Sequence, residues 1–255
     1  MNTKKEQPMS ITCKSVNIHF DNDIYLNQVN LTLPEKKIVL LLGPSGSGKT
    51  ALFNRLCGLE KPVNPDARIY WFDYPVSDLK DANKVRSQYI SMIFSFYYFV
   101  HSLSVEDNIV LPAVMRGEST SKIRQKLDCL ISTFSFDGNL QNNLDLKIMM
   151  KKPIARLSNG QKELVGIARA FMLETPYIFA DEMLRSFNRS TEQMIWKKLL
   201  SDNLGIGKTR GLFWITHKER LTKDDNIHRI LTIDNQTIKE VEGDQKNNFD
   251  HSAIT

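Results

Sequence analysis

The chain has 255 residues, 41% of them hydrophobic, enough to bury a substantial core in one large or two small domains. Its charge of +5, from 34 basic and 29 acidic residues, is mild and scattered in doublets such as Lys36-Lys37 and Lys197-Lys198, so no nucleic-acid partner is predicted. No apolar run reaches the roughly 18 residues that span a bilayer, and the first eight residues lack the apolar centre of a signal peptide.

In chain order, residues 1–10 are expected to be a flexible N-terminus. From Ile11 to Leu42 the pattern is one of short strands: Ser15 to Phe20 alternates, Asp21-Asn22-Asp23 is a turn cluster, and Val29 to Leu33 alternates again before Pro34. This predicts an antiparallel β layer. Lys37 to Leu42 is then an apolar run rich in β-formers, and Ala51 to Cys57 reads as a helix stopped by Gly58.

Between them lies Gly43-Pro44-Ser45-Gly46-Ser47-Gly48-Lys49-Thr50, which fits the G-x-x-x-x-G-K-[ST] pattern in its required context of strand, glycine loop and helix. Three glycines let successive N–H groups face one concavity with no Cβ in the way, and the helix that follows adds its positive end. Lys49 is predicted to reach the β- and γ-phosphates of a bound nucleotide and Thr50 to ligate Mg²⁺, with Ala51 completing the nucleotide-binding stretch. ATP and Mg²⁺ are the expected cofactors.

A strand pair is predicted around Ala67 to Phe72, and a buried strand at Tyr89 to Phe94 precedes the aromatic run Phe96-Tyr97-Tyr98-Phe99. Ser104 to Asp107 has capping-box spacing and opens a helix. Between Thr120 and Phe136, Ile123, Leu127, Leu130, Ile131 and Phe134 lie on one helical face. Asp137 to Lys152 reads as a polar connector. A helix follows Ser158 with Leu164, Ile167, Ala168, Phe171 and Met172 on one face. Tyr177 to Ala180 is a buried strand ending in Asp181-Glu182, and Gly211 to Thr216 is another ending at His217. Strands alternating with helices predict a mainly parallel sheet covered on both faces. Residues 242–255 form a polar tail. Cys13, Cys57 and Cys129, far apart and without C-x-x-C spacing, read as reduced thiols of a cytosolic protein.

The ordered set of phosphate loop, Leu157-Ser158-Asn159-Gly160-Gln161 at a helix start, Asp181-Glu182 and Thr216-His217 resembles an ABC-type ATPase subunit over about residues 11–241. The wording around Val105-Glu106-Asp107-Asn108-Ile109 and Ile167-Ala168-Arg169-Ala170 is most similar to the subgroup that serves lipoprotein release, macrolide export and bacterial cell division. The resemblance implies an α/β fold: a P-loop NTPase core with a mainly parallel sheet, an antiparallel β layer and a helical subdomain at about residues 95–172. It implies that Asp181 holds Mg²⁺ through water, that Glu182 polarises the attacking water and that His217 contacts the γ-phosphate. Phe20 stands where the family stacks an aromatic on adenine, with His19 and Tyr25 as competitors. Ser158, Asn159, Gly160 and Gln161 would address the nucleotide of a second subunit in a head-to-tail homodimer.

The chain departs from the family at several points. Ser95 stands where a Mg²⁺-ligating glutamine is usual, so that either its loop moves inward or water fills the gap. Asn159 replaces the first glycine of the signature, Met183-Leu184 replace Pro-Thr, Leu164 a basic residue, and Asn188 an aspartate. The expected function is an ATPase subunit powering a separate integral membrane permease, on the cytoplasmic face of the inner membrane, for export or extraction of an apolar or lipid-linked substrate. The aromatic run Phe96 to Phe99 is expected to form part of the groove that receives the permease, with Tyr97 and Phe99 as the residues whose substitution by Asp should break the contact. The alternative is a nucleotide-gated structural subunit of a membrane complex, which Ser95 and Asn188 favour.

Overall fold

In the computed structural model, the described residues are 10–20, 23–61, 64–76, 86–136 and 144–241. The expectations for residues 1–9, for the turn at Asp21 and Asn22, for the first part of the connector (137–143) and for the tail (242–255) lie outside them.

Two sheets form the frame. The first has the order β2-β1-β4-β5, with β1 at Ser10–Phe20, β2 at Asp23–Pro34, β4 at Arg68–Trp71 and β5 at Tyr74–Pro75, and its ladders are antiparallel. The predicted strand pair around Ala67 to Phe72 is β4 and β5. The second sheet has the order β10-β9-β3-β8-β7-β6. Its strands β3 (Ile38–Leu42), β6 (Ile90–Ile93), β7 (Tyr177–Asp181), β8 (Gly211–Ile215) and β9 (Arg229–Asp234) run parallel, and β10 (Thr237–Glu240) closes one edge as a hairpin with β9.

Strands β3, β7 and β8 are buried on both faces, and the period of two sorts their side chains into two cores. Along β3, Ile38, Leu40 and Leu42 join a core with Ile178, Ala180, Leu212 and Trp214. Val39 and Leu41 face the other way, into a core with Phe179, Phe213, Ile215 and the inner residues of β1 and β2. The helix α1 (Lys49–Leu56) supplies Leu52, Phe53 and Leu56 to that second core and ends at Cys57, with Gly58 at φ +63°.

The first core is roofed by helices. The helix α2 (Val105–Met115) starts with the predicted capping box: the Ser104 hydroxyl accepts from Asp107 N–H at 3.1 Å, and Asp107 accepts from Ser104. It is followed by α3 (Thr120–Thr133), α4 (Leu146–Met149), α5 (Asn159–Phe171) and, after β7, α6 (Arg189–Leu199). The second half of the connector is therefore not simply polar. Asp145 caps α4 by accepting from Lys147 N–H at 2.8 Å, and Leu146, Met149 and Met150 are buried in the helical core. Strands β9 and β10 and helix α6 have no counterpart among the predicted elements. Cys13 and Cys57 are buried, Cys129 is exposed, and all three are free.

Candidate active site

A parallel sheet sets all its strand ends at one edge, and the register fixes which ends meet. Leu41 pairs with Ile215, Ile215 with Asp181, and Ala180 with Ile93, so the segments leaving β3, β8, β7 and β6 emerge side by side. Those segments carry Gly43 to Thr50, His217, Glu182 and Ser95.

The phosphate loop has the backbone that its glycines permit. Gly46 and Gly48 sit at φ +77° and +88°, where a Cβ is disfavoured. At Gly48 a Cβ would also come within 3.1 Å of Tyr25 Cβ and 3.3 Å of Ile18 Cγ2, so the tip of the β1–β2 hairpin lies against the loop. Phe20 closes β1 opposite Asp23 at that tip, and its side chain lies outside the described set. Ser47 folds back, donating from its hydroxyl to Pro44 O at 2.9 Å, while Ser45 is exposed. Lys49 is 6% exposed, and its ammonium donates to Gly43 O at 2.8 Å and to Pro44 O at 2.5 Å. Burial pulls its pKa below the usual lysine value, against the opposing pull of Glu182 and Asp181. Ala51, in the first turn of α1, is buried.

Thr50, Ser95 and Asp181 converge. The Thr50 hydroxyl donates to Asp181 Oδ2 at 3.2 Å and the Ser95 hydroxyl to the same oxygen at 3.0 Å. Asp181 is 3% exposed, and its other oxygen, Oδ1, is buried without a hydrogen-bond partner. The short Ser95 side chain reaches the Asp181 carboxylate directly.

Glu182 sits one residue past β7 at φ +52°, its N–H donating to Ile215 O at 2.9 Å. Burial raises its pKa; His217 lowers it, Asp181 raises it further, and the His217 N–H and Lys49 oppose. His217 Nε2 lies 3.1 Å from Glu182 Oε1 without hydrogen-bond alignment.

The signature residues stand apart. Ser158 caps α5, accepting from Gln161 N–H at 3.3 Å, and Gln161 Oε1 accepts from Ser158 N–H at 2.9 Å, so the bonds of the Ser158 cap stay within the cap. Ser158 and Asn159 are exposed, and a Cβ on Gly160 would meet Phe187 at 3.1 Å. Asn188 caps α6 by accepting from Thr191 N–H at 3.0 Å.

The aromatic run divides by alternation. Phe96 and Tyr98 are 69% and 68% exposed, whereas Phe99 is buried and Tyr97 stacks on it with ring centroids 6.0 Å apart. Tyr97 and Phe99 lie toward α5, where Phe99 sits under the Arg169 guanidinium at 4.8 Å, and with Phe96, Ser95 and Arg185 they line a groove of about 500 Å³. Tyr98 instead lines a groove of about 860 Å³ with Phe94, Leu111, Met115 and Arg169.

Two supporting groups escaped the sequence reading. Glu163, 1% exposed in α5, accepts from the N–H groups of Arg185 at 3.1 Å and Ser186 at 2.8 Å. Its signal was a carboxylate four residues before Ile167, on the apolar side of the helix. Lys218 donates to Leu184 O and to buried Glu192, both at 2.5 Å, and tethers the segment after His217 to the one after Glu182. No local pattern marks that contact.

The comparisons agree with this geometry. The sulfate/thiosulfate import ATP-binding protein CysA of Neisseria meningitidis is 31% identical over 86% of this chain and 58% of its own length. The lipoprotein-releasing system ATP-binding protein LolD of Blochmanniella floridana is 27% identical over 84% of this chain and 85% of its own. The chain spans little more than half of the first of these. Among solved structures, the dimeric ATP-binding cassette MJ0796 in a post-hydrolysis state bound to ADP and Pi superposes with a TM-score of 0.74 at 25% identity, covering 91% of this chain and 99% of that one. Residues 26–185, which hold the phosphate loop, Ser95, the signature helix, Asp181 and Glu182, match the family described as ABC transporter, and the chain belongs to that family.

Proposed function

We propose that the chain binds ATP with Mg²⁺ at this site and hydrolyses it as one of two subunits closing head to tail, to drive a separate membrane-embedded permease. The observation that supports this most is the meeting of Thr50 and Ser95 on one Asp181 oxygen, with Lys49, Glu182 and His217 around it. Among the described residues no helix is long and apolar enough to cross a membrane, so the permease is a different chain or segment.

The donor set suits magnesium. Asp181 Oδ1, buried without a hydrogen-bond partner, is a hard-oxygen donor, and Mg²⁺ is commonly held by one or two carboxylates together with phosphate oxygens. Thr50 and Asp181 would hold the ion, with Ser95 as a third oxygen. When bound, the ion neutralises charge building on the β- and γ-phosphate oxygens.

The protein's own steps follow from what each group now touches. Lys49 exchanges the Gly43 and Pro44 carbonyls for phosphate oxygens, while the backbone N–H groups of the loop and the start of α1 donate to the phosphates. Ionised Glu182 takes the proton of the attacking water, and His217, at 3.1 Å from it, orients that water and contacts the γ-phosphate. Ser158, exposed at the cap of α5, and half-buried Gly160 address the γ-phosphate on the partner subunit. The test is Mg²⁺-dependent ATP hydrolysis by the purified chain with and without its membrane partner, with Glu182→Gln as control. ATP binding without turnover in either state would overturn the motor reading.

The finer reading is extraction or export of an apolar or lipid-linked substrate from the cytoplasmic face of the inner membrane. Similarity to LolD supports it, while similarity to CysA, an import protein by name, supports the opposite direction. The permease would dock in the groove lined by Tyr98 and Met115, the latter 80% exposed. Tyr98→Asp should abolish co-purification with a membrane protein; unchanged association would refute that docking site. A nucleotide-gated scaffold is the second reading, favoured by Ser95 and Asn188 standing where a glutamine and an aspartate are usual. Tight ATP-dependent dimerisation with slow hydrolysis would favour it.

A further inference from the structure

We propose that Arg185 is a positioning residue for the Mg²⁺-binding oxygens, acting through Ser95; the proposal rests on the reading of the site given above. A serine hydroxyl has almost no reach, so it can serve Asp181 only if the backbone of its loop is brought close and held there. Residue 95 lies two positions past the end of β6, beyond the sheet's own hydrogen bonds, and its neighbour Phe96 is 69% exposed. The strand cannot supply the restraint.

Arg185 does. Its guanidinium donates to the Ser95 carbonyl and lies 5.5 Å from the centroid of the Phe96 ring, so one side chain holds both residues across 90 positions of sequence. A planar guanidinium can donate in its plane while its face covers an aromatic ring, and an ammonium cannot do both. Arg185 is itself anchored from below. Its N–H donates to Glu163 Oε1 at 3.1 Å and the N–H of Ser186 donates to Oε2 at 2.8 Å, on a carboxylate that α5 keeps 1% exposed. The line of contact therefore runs from Glu163 to the segment after Glu182, through Arg185 to the Ser95 loop, and ends with the Ser95 hydroxyl 3.0 Å from Asp181 Oδ2.

The test is equilibrium binding of ATP to the full chain, read by displacement of a fluorescent ATP analogue, across a Mg²⁺ titration and in EDTA. With Arg185→Ala the half-saturating Mg²⁺ concentration should rise about tenfold, the scale typical of lost outer-sphere support, while ATP affinity in EDTA stays unchanged. Arg185→Lys, which keeps the charge and loses the fork, should follow Arg185→Ala. In a Ser95→Ala background, Arg185→Ala should add nothing, because its effect runs through that side chain. An equal loss of affinity in EDTA would overturn the proposal and make Arg185 a source of bulk charge. So would an Arg185→Ala effect that persists in full without the Ser95 hydroxyl. A wild-type chain whose ATP binding ignores Mg²⁺ would instead overturn the reading of the site itself.

Discussion

Thr50 and Asp181 are 131 residues apart in the chain and 3.2 Å apart at Oγ1 and Oδ2. The distance follows from strand register. Strand β8 lies between β3 and β7, Ile215 is level with both Leu41 and Asp181, and the phosphate loop between β3 and α1 keeps Thr50, in the first turn of α1, at that edge.

Replacing Thr50 by Val removes the hydroxyl at nearly constant size. Asp181 Oδ2 then keeps only Ser95 as donor. Mg²⁺-dependent hydrolysis should fall on the order of 10- to 100-fold, with ATP binding in EDTA retained through Lys49. A steady-state assay paired with equilibrium binding in EDTA separates the two effects.

Glu182 carries a raised pKa, chiefly from burial, and general-base work needs it ionised. The acid limb of the rate profile should therefore lie above the range of an ordinary glutamate. Stability runs in the opposite direction. A carboxyl whose folded pKa exceeds its unfolded value favours the folded state most below the unfolded pKa and loses that advantage as pH rises through the folded one. Glu182→Gln should therefore unfold at higher urea than wild type near neutral pH, with the gap closing in acid. Urea titrations at both pH values check the sign.

The two glycines with positive φ in the phosphate loop predict different penalties. A Cβ at Gly46 meets nothing within 4 Å, so Gly46→Ala should cost only the backbone preference, about 1–2 kcal/mol. At Gly48 the same preference is joined by a 3.1 Å contact with Tyr25 Cβ, which belongs to the hairpin and cannot swing away. Gly48→Ala should be the more destabilising of the pair in urea denaturation.

Asn188 has a structural duty that is separable from its departure from the family aspartate. Its Oδ1 accepts from Thr191 N–H at 3.0 Å as the cap of α6. Asn188→Ala should cost about 1 kcal/mol in urea denaturation, whereas Asn188→Asp keeps the cap oxygen and should stay within a few tenths of a kcal/mol of wild type. Faster partner-stimulated hydrolysis by Asn188→Asp would identify the missing charge as a brake; an unchanged rate would leave it a cap only.

Local chemistry made much of this protein readable. A phosphate loop needs glycines at fixed positions between a strand and a helix, and a capping box needs Ser and its partner three residues apart, so Gly43 to Thr50, Ser104 to Asp107 and Ser158 to Gln161 were all legible from spacing. The apolar runs at β3, β7 and β8 announced a sheet buried on both faces. Hairpin β9–β10 carried a weaker pattern because its burial is partial: β9 is half-buried at most positions and β10 is mostly exposed, whereas α6 does seat Ile195, Trp196 and Leu199 on one buried face, with Glu192 interrupting the apolar pattern.

What sequence could not determine was which distant groups share an oxygen or a carbonyl. Ser95 is short for its place, yet its hydroxyl reaches Asp181, with the Arg185 guanidinium crossing 90 residues to hold its carbonyl. Tyr97 and Tyr98 are the same residue type, one stacked on Phe99 and one exposed, and only the packing shows that they face two different grooves. The sequence by itself determined the family's chemistry, because motif geometry is set by bonds within a few residues. The tertiary structure decided how that chemistry is positioned, because strand register and long side chains join segments whose separation along the chain carries no periodic signal.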